Sequence, residues 1–143
     1  MIKINKWNFN EETVLEIGKF SILWNIFESQ KCDNSCSNEK LEQINVSCSK
    51  NWSKFSAELF KRANGDIDGY VNNGLSLGRG LRECEKNKIK EFLKSGGKLN
   101  LAGGLIAIFR IRNNMFHGLK EWKDLNNQLN LFKTINLILK EII

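Results

Sequence analysis

The run Asn10-Glu11-Glu12-Thr13-Val14-Leu15-Glu16-Ile17-Gly18-Lys19-Phe20, continued by Ser21-Ile22-Leu23-Trp24-Asn25-Ile26-Phe27-Glu28-Ser29, decides the fold class of this 143-residue chain. It opens with a side chain able to cap a helix and with acidic residues where the helix dipole favours negative charge. Val14, Ile17, Phe20, Trp24 and Phe27 then recur at three- and four-residue intervals, with Leu23 and Ile26 widening the stripe. That is the period of a helix with one face turned to a core. The spacing predicts a first helix to about Ser29, and its aromatic residues read as packing.

The same pattern continues outward. Leu41, Ile44, Cys48, Trp52, Phe55 and Leu59 predict a second helix from Asn38 to Ala63, closed by Asn64-Gly65. Asp66–Gly80 holds Gly69, Gly74, Gly78 and Gly80 and reads as a long loop. Its Gly74–Gly80 portion lacks both the preceding strand and the Gly-Lys-Ser/Thr ending of a phosphate-binding loop. A short basic helix is expected over Leu81–Lys94, stopped by Ser95-Gly96-Gly97. Another runs from Leu99 to about Met115, with Leu101, Leu105 and Phe109 on its buried side. Gly103-Gly104 inside it would let a neighbouring helix approach closely. Trp122, Leu125, Leu129, Phe132, Ile135 and Leu139 predict a long C-terminal helix over Lys120–Ile143. No run alternates as a strand should, and there is no proline to break a helix. The expectation is an all-α bundle of four or five helices, one domain over residues 1–143.

Composition narrows the classes. Apolar residues make up 41%, with nine Phe and four Trp, which argues against disorder. The net charge of +6 is unevenly placed: residues 79–98 carry seven basic against three acidic groups, and residues 99–143 six against three. A basic half is the footprint of a polyanion-binding protein, most simply RNA; a solvated lysine face is the plain alternative. Of Cys32, Cys36, Cys48 and Cys84 only the first two are closely spaced, and the second short pair of a four-ligand zinc site is missing. No metal is therefore expected. Residues 1–9 lack the apolar core of a signal peptide, and no apolar run approaches the roughly 20 residues of a membrane span. These features predict a cytoplasmic protein with reduced thiols and no membrane partner.

Arg110-Ile111-Arg112-Asn113-Asn114-Met115-Phe116-His117-Gly118 contains the single histidine of the chain. Imidazole is the side chain whose ordinary pKa lies nearest neutrality, so it is the natural source of proton transfer. On a regular helix Arg110, seven residues earlier, shares its side, with Asn113 and Asn114 between. Arg112, five residues earlier, points elsewhere unless the helix ends before His117 and the chain swings back. A histidine at a helix end can also serve only to cap carbonyls.

Arg112-Asn113-Asn114-Met115-Phe116-His117 resembles the signature of the HEPN superfamily: Arg, a polar residue that is often Asn, three further residues, then His. Gly118 and Lys120 are similar to residues that follow the motif in many members. The resemblance implies a four- or five-helix bundle with the motif near the end of a late helix. It also implies a metal-independent endoribonuclease without cofactor, often a toxin or antiviral-defence effector, whose two protomers line one cleft. Arg112 and His117 would be the catalytic pair and Asn113 the group that orients them or the phosphate. RNA contacts would come from Arg110, Asn114, Lys120 and Arg82, the last heading the basic segment Arg82–Lys98. One His per chain means that a base and an acid together require a homodimer. The C-terminal helix and Gly103-Gly104 are candidate dimer surfaces, or else core. Some HEPN toxins are silenced by an antitoxin that modifies a Tyr two residues after the His. Here that position is Leu119 and the one Tyr is Tyr70, which puts that control in doubt but leaves an antitoxin or defence-complex protein as a candidate partner. The rival reading is a non-catalytic HEPN-like module that binds nucleic acid or protein.

Overall fold

Asn10 caps as its position suggests: its side-chain oxygen accepts from the Thr13 N–H at 3.1 Å. Helix α1 (Glu11–Lys31) follows and buries Thr13, Phe20, Trp24 and Phe27. The computed structural model describes residues 1–73, 81–114 and 125–143. Ahead of α1 stands a small hairpin that the sequence pattern did not disclose. Strand β1 (Ile2–Ile4) pairs antiparallel with β2 (Trp7–Phe9), placing Ile2 opposite Phe9 and Ile4 opposite Trp7. Asn5 takes a left-handed φ of 54° in the two-residue turn, as tight hairpins require. Three residues per strand are too few to establish a period.

Cys32 and Cys36 are joined in a disulfide, which corrects the expectation of reduced thiols at these two positions. Asp33 and Asn34 between them adopt left-handed φ values of 51° and 70°, which their short polar side chains tolerate. The turn is tied further by Lys40, whose Nζ donates to the carbonyls of Cys32 (2.9 Å) and Ser35 (2.8 Å).

The expected helix from Asn38 to Ala63 is two helices, α2 (Asn38–Glu42) and α3 (Lys50–Ala63). Between them lie Asn45, Val46, Ser47 and Ser49, β-branched or short polar residues that favour extended and capping conformations. Cys48, counted in the apolar stripe, is exposed. The Ser49 hydroxyl does not cap α3; it donates to Glu141 Oε2 at 2.8 Å, and the Asn51 amide donates to the other carboxylate oxygen.

Part of the expected 66–80 loop is also helical. Asp66 accepts from the Gly69 N–H at 2.9 Å and starts α4 (Ile67–Asn73), which buries Tyr70 and Val71 completely or nearly so. Residues 74–80 lie outside the described residues. Helices α5 (Glu83–Lys94) and α6 (Leu101–Asn114) form an antiparallel pair joined through Gly96 and Gly97, both at positive φ. A 3-10 turn at Leu125–Asn127 precedes α7 (Leu129–Ile142), so Leu125–Gln128 are not part of the expected α-helix. Trp122 lies outside the described residues. The all-α class holds, with seven α-helices among the described residues, two of them short.

Two aromatic groups organise the core. Trp24 meets Phe20, Phe27 and Phe109, with ring centroids 6.3, 5.0 and 5.7 Å away. Trp52 meets Phe55 and Phe92 at 6.3 and 5.7 Å. A Cβ on Gly104 would lie 2.6 Å from the Trp52 ring, and one on Gly103 would collide with the Lys88 carbonyl. The two glycines thus admit α5 and Trp52 and are core, not a dimer surface. Helix α7 is spent likewise: it packs between α1 and α3 and buries Leu131, Phe132, Ile135, Ile138 and Leu139. Among the described residues no helix is long and apolar enough to cross a membrane.

Burial of Tyr70 pushes its phenol up to about 12. Because it is the single Tyr, ultraviolet titration of the native protein reads it alone. We expect a midpoint near 12, whereas an exposed phenol would titrate near its ordinary value of about 10. A folded-state pKa raised in this way supplies stability below about pH 10 that is lost as pH rises toward 12.

Candidate functional site

The last turns of α6 leave the core while keeping their helical frame. Residues 103–108 are buried on every side, and from Phe109 to Asn114 every residue is half-buried. The stacking of Phe109 on Trp24, with planes 12° apart, fixes the helix at the point where this change occurs. Arg110, Arg112, Asn113 and Asn114 therefore stand on a rigid element whose surface faces water only in part.

Within this turn Arg112 Nη1 donates to Asn113 Oδ1 at 3.2 Å. The contact holds one edge of the guanidinium through a neutral acceptor. Arg110 and Arg112 are two residues apart and so leave the helix on widely separated sides. His117 and Lys120 lie outside the described residues, as does Gly118.

Arg82 belongs to the same end of the molecule. It is the residue before α5, and an antiparallel pair places the start of α5 beside the end of α6. Its backbone N–H donates to Glu85 Oε1 at 2.9 Å, one half of a capping box. Its guanidinium lies 3.4 Å from Glu85 and 3.5 Å from Glu39. Burial pushes the Glu85 carboxyl up, but the Arg82 backbone and guanidinium and the Asn38 amide outweigh it and hold the group below the usual carboxylate range. The sequence reading of Arg82 as an RNA contact missed these carboxylates, although the Arg82/Glu85 spacing was visible.

The rest of α5 repeats that lesson. Lys88 pairs with Glu42 at 2.7 Å, and Lys90 and Lys94 lie 3.6 and 3.9 Å from Asp68. Much of the formal charge of Arg82–Lys98 is thus met by acids from α2 and α4. Lys86 and Lys98 remain as charges of this segment with no ion pair among the described residues. Cys32 and Cys36, the close cysteine pair, are bonded to each other and offer no thiolate to a metal.

No family model, curated protein or solved structure matches this chain. A partly buried guanidinium on a stiff helix end can hold a phosphate through paired donors, and partial burial protects that attraction from salt.

Proposed function

We propose that the chain is a HEPN-type, metal-independent endoribonuclease. The observation that carries this reading is the Arg112–Asn113 side-chain pair at the half-buried end of α6, the last helix before the single histidine. The all-α bundle, with Arg112 and Asn113 in the last described turn of α6, supports it.

In the proposed reaction the ribose 2′-hydroxyl attacks the adjacent phosphorus and the 5′-oxygen leaves. The products are a 2′,3′-cyclic phosphate and a free 5′-hydroxyl. His117, neutral, accepts the 2′ proton, or in its protonated form supplies one to the leaving oxygen. Arg112 presents two N–H groups to the charge that develops on the phosphoryl oxygens, with Asn113 fixing its plane. Arg110, Asn114, Lys120 and Arg82 would contact the RNA, Arg82 after exchanging Glu39 for phosphate. With one imidazole per chain, base and acid come from two protomers. A toxin or antiviral-defence effector, held by an antitoxin or complex partner, fits such chemistry.

The test uses purified protein and a labelled single-stranded RNA in EDTA, beside a 2′-deoxy copy and a His117→Ala variant. The RNA alone is expected to be cut, with cyclic-phosphate ends, and the variant to be inactive. A metal requirement or cleavage of the deoxy strand rejects the mechanism. Binding without cleavage makes the chain a non-catalytic module.

A further inference from the structure

Summed along the chain, residues 51–78 are neutral, with three basic and three acidic groups. Folding separates the two signs. On α3, Lys50, Lys54 and Lys61 fall within about 40° of one another around the helix axis, and all three are exposed. They form a basic ridge about 16 Å long. The one acid of α3, Glu58, lies to one side of it and pairs with Arg62 at 3.9 Å. Glu141, near the head of the ridge, accepts from Ser49 and Asn51. None of the three lysines has an ion pair among the described residues.

Beside the ridge an apolar groove of about 570 Å³ runs between α3 and the end of α5. Ala57 and Leu93 line it, together with Phe60, whose ring is left 49% exposed. Lys61 lines it from α3 and Lys94 from α5, and no carboxylate does so among the described residues. Lys94 also lies 3.9 Å from Asp68, a long contact between two exposed groups that water screens. A solvated lysine face accounts for the ridge alone. It gives no reason for a large ring standing half in water next to it.

We propose that this face is a docking track for single-stranded nucleic acid, with phosphates along Lys50, Lys54 and Lys61 and a base in the groove against the Phe60 ring. A nucleotide carries a flat unsaturated face and a negative charge in one unit, which is the pairing that ring and ridge present. A duplex keeps its base faces stacked on one another and can use only the lysines. An acidic peptide meets the lysines but brings no flat face beside each charge. The track is separate from the candidate site, since Lys94 lies about 18 Å along α5 from Arg82. That the strand is RNA rests on the nuclease reading, whereas the track itself does not.

Fluorescence anisotropy tests it with the full chain and a labelled deoxy strand of about 12 nucleotides, which no 2′-hydroxyl mechanism can cut. Loss of binding and loss of cleavage are therefore read separately. Phe60→Leu keeps apolar bulk without a stacking face and should weaken binding about tenfold, while Phe60→Tyr should bind as wild type does. Lys54→Gln/Lys61→Gln should flatten the slope of log affinity against log salt by about 1.4 between about 50 and 200 mM. Lys3→Gln/Lys19→Gln, which removes the same charge elsewhere, should leave that slope unchanged. Melting curves confirm that each variant is folded, and the Lys54/Lys61 pair, exposed throughout, decides alone if Phe60→Leu is not. A wild type that does not bind, or indifference to Phe60→Leu, overturns the proposal. So does equal weakening by both lysine pairs, or a polyglutamate or duplex competitor that displaces the strand as well as an unlabelled single strand.

Discussion

Changing Arg112 to lysine is expected to slow RNA cleavage by about 100-fold or more while leaving the bundle intact. The substitution keeps the positive charge and much of the length, so electrostatic attraction to RNA survives. What it removes is the planar fork that can hold two phosphoryl oxygens at once and whose edge rests on Asn113. A loss of that size corresponds to about 2.7 kcal/mol of barrier, within the range for deleting one preorganised donor. The measurement is a single-turnover rate at saturating enzyme, with a melting curve to show that folding is unaffected. A rate within threefold of wild type would take Arg112 out of the chemistry and shift the role to Arg110.

The largest expected stability effect is at Trp24, which is 1% exposed and touches three other rings. Trp24→Ala should cost about 3–5 kcal/mol, because the lost transfer energy is compounded by a cavity that rigid neighbours cannot fill. Domains of this size hold only about 5–15 kcal/mol in total, so the variant should melt roughly 10–15 °C lower. Its damage should reach the candidate site, since Phe109 loses the ring it stacks on one residue before Arg110. Urea unfolding of Trp24→Ala beside Trp24→Phe gives the number. A loss under about 1 kcal/mol would contradict the packing described for α1 and α6.

The fold class was legible because long helices leave a long record: α1 and α7 each repeat their apolar period over several turns. The breaks were not. Leu41 through Leu59 kept a helical rhythm across residues that are not helical. The sign of the break lay in the short polar residues around Ser47 and Ser49 rather than in the apolar spacing, of which Cys48 proves exposed. The helix at Ile67–Asn73 was hidden by its glycine, whereas its real determinants are an Asp66 cap and two buried side chains. Charge was read as a sum along the chain, but α5 answers to Glu39, Glu42 and Asp68, which reach it only through tertiary structure. For the candidate site, the sequence supplied the residues of the motif. The structure added the side-chain bond between Arg112 and Asn113, because a hydrogen bond between neighbours depends on rotamers rather than on spacing.

Asn126 makes two bonds at once: its oxygen accepts from the Asn10 N–H at 2.7 Å and its amide donates to the Asn8 carbonyl at 3.0 Å. It stands nine residues beyond His117. The opening hairpin, the start of α1 and the 3-10 turn ahead of α7 therefore share one rivet, and force applied to any of them is felt by the others. Loss of the Asn126 side chain should accordingly unfasten the hairpin and the head of α1 in a single step.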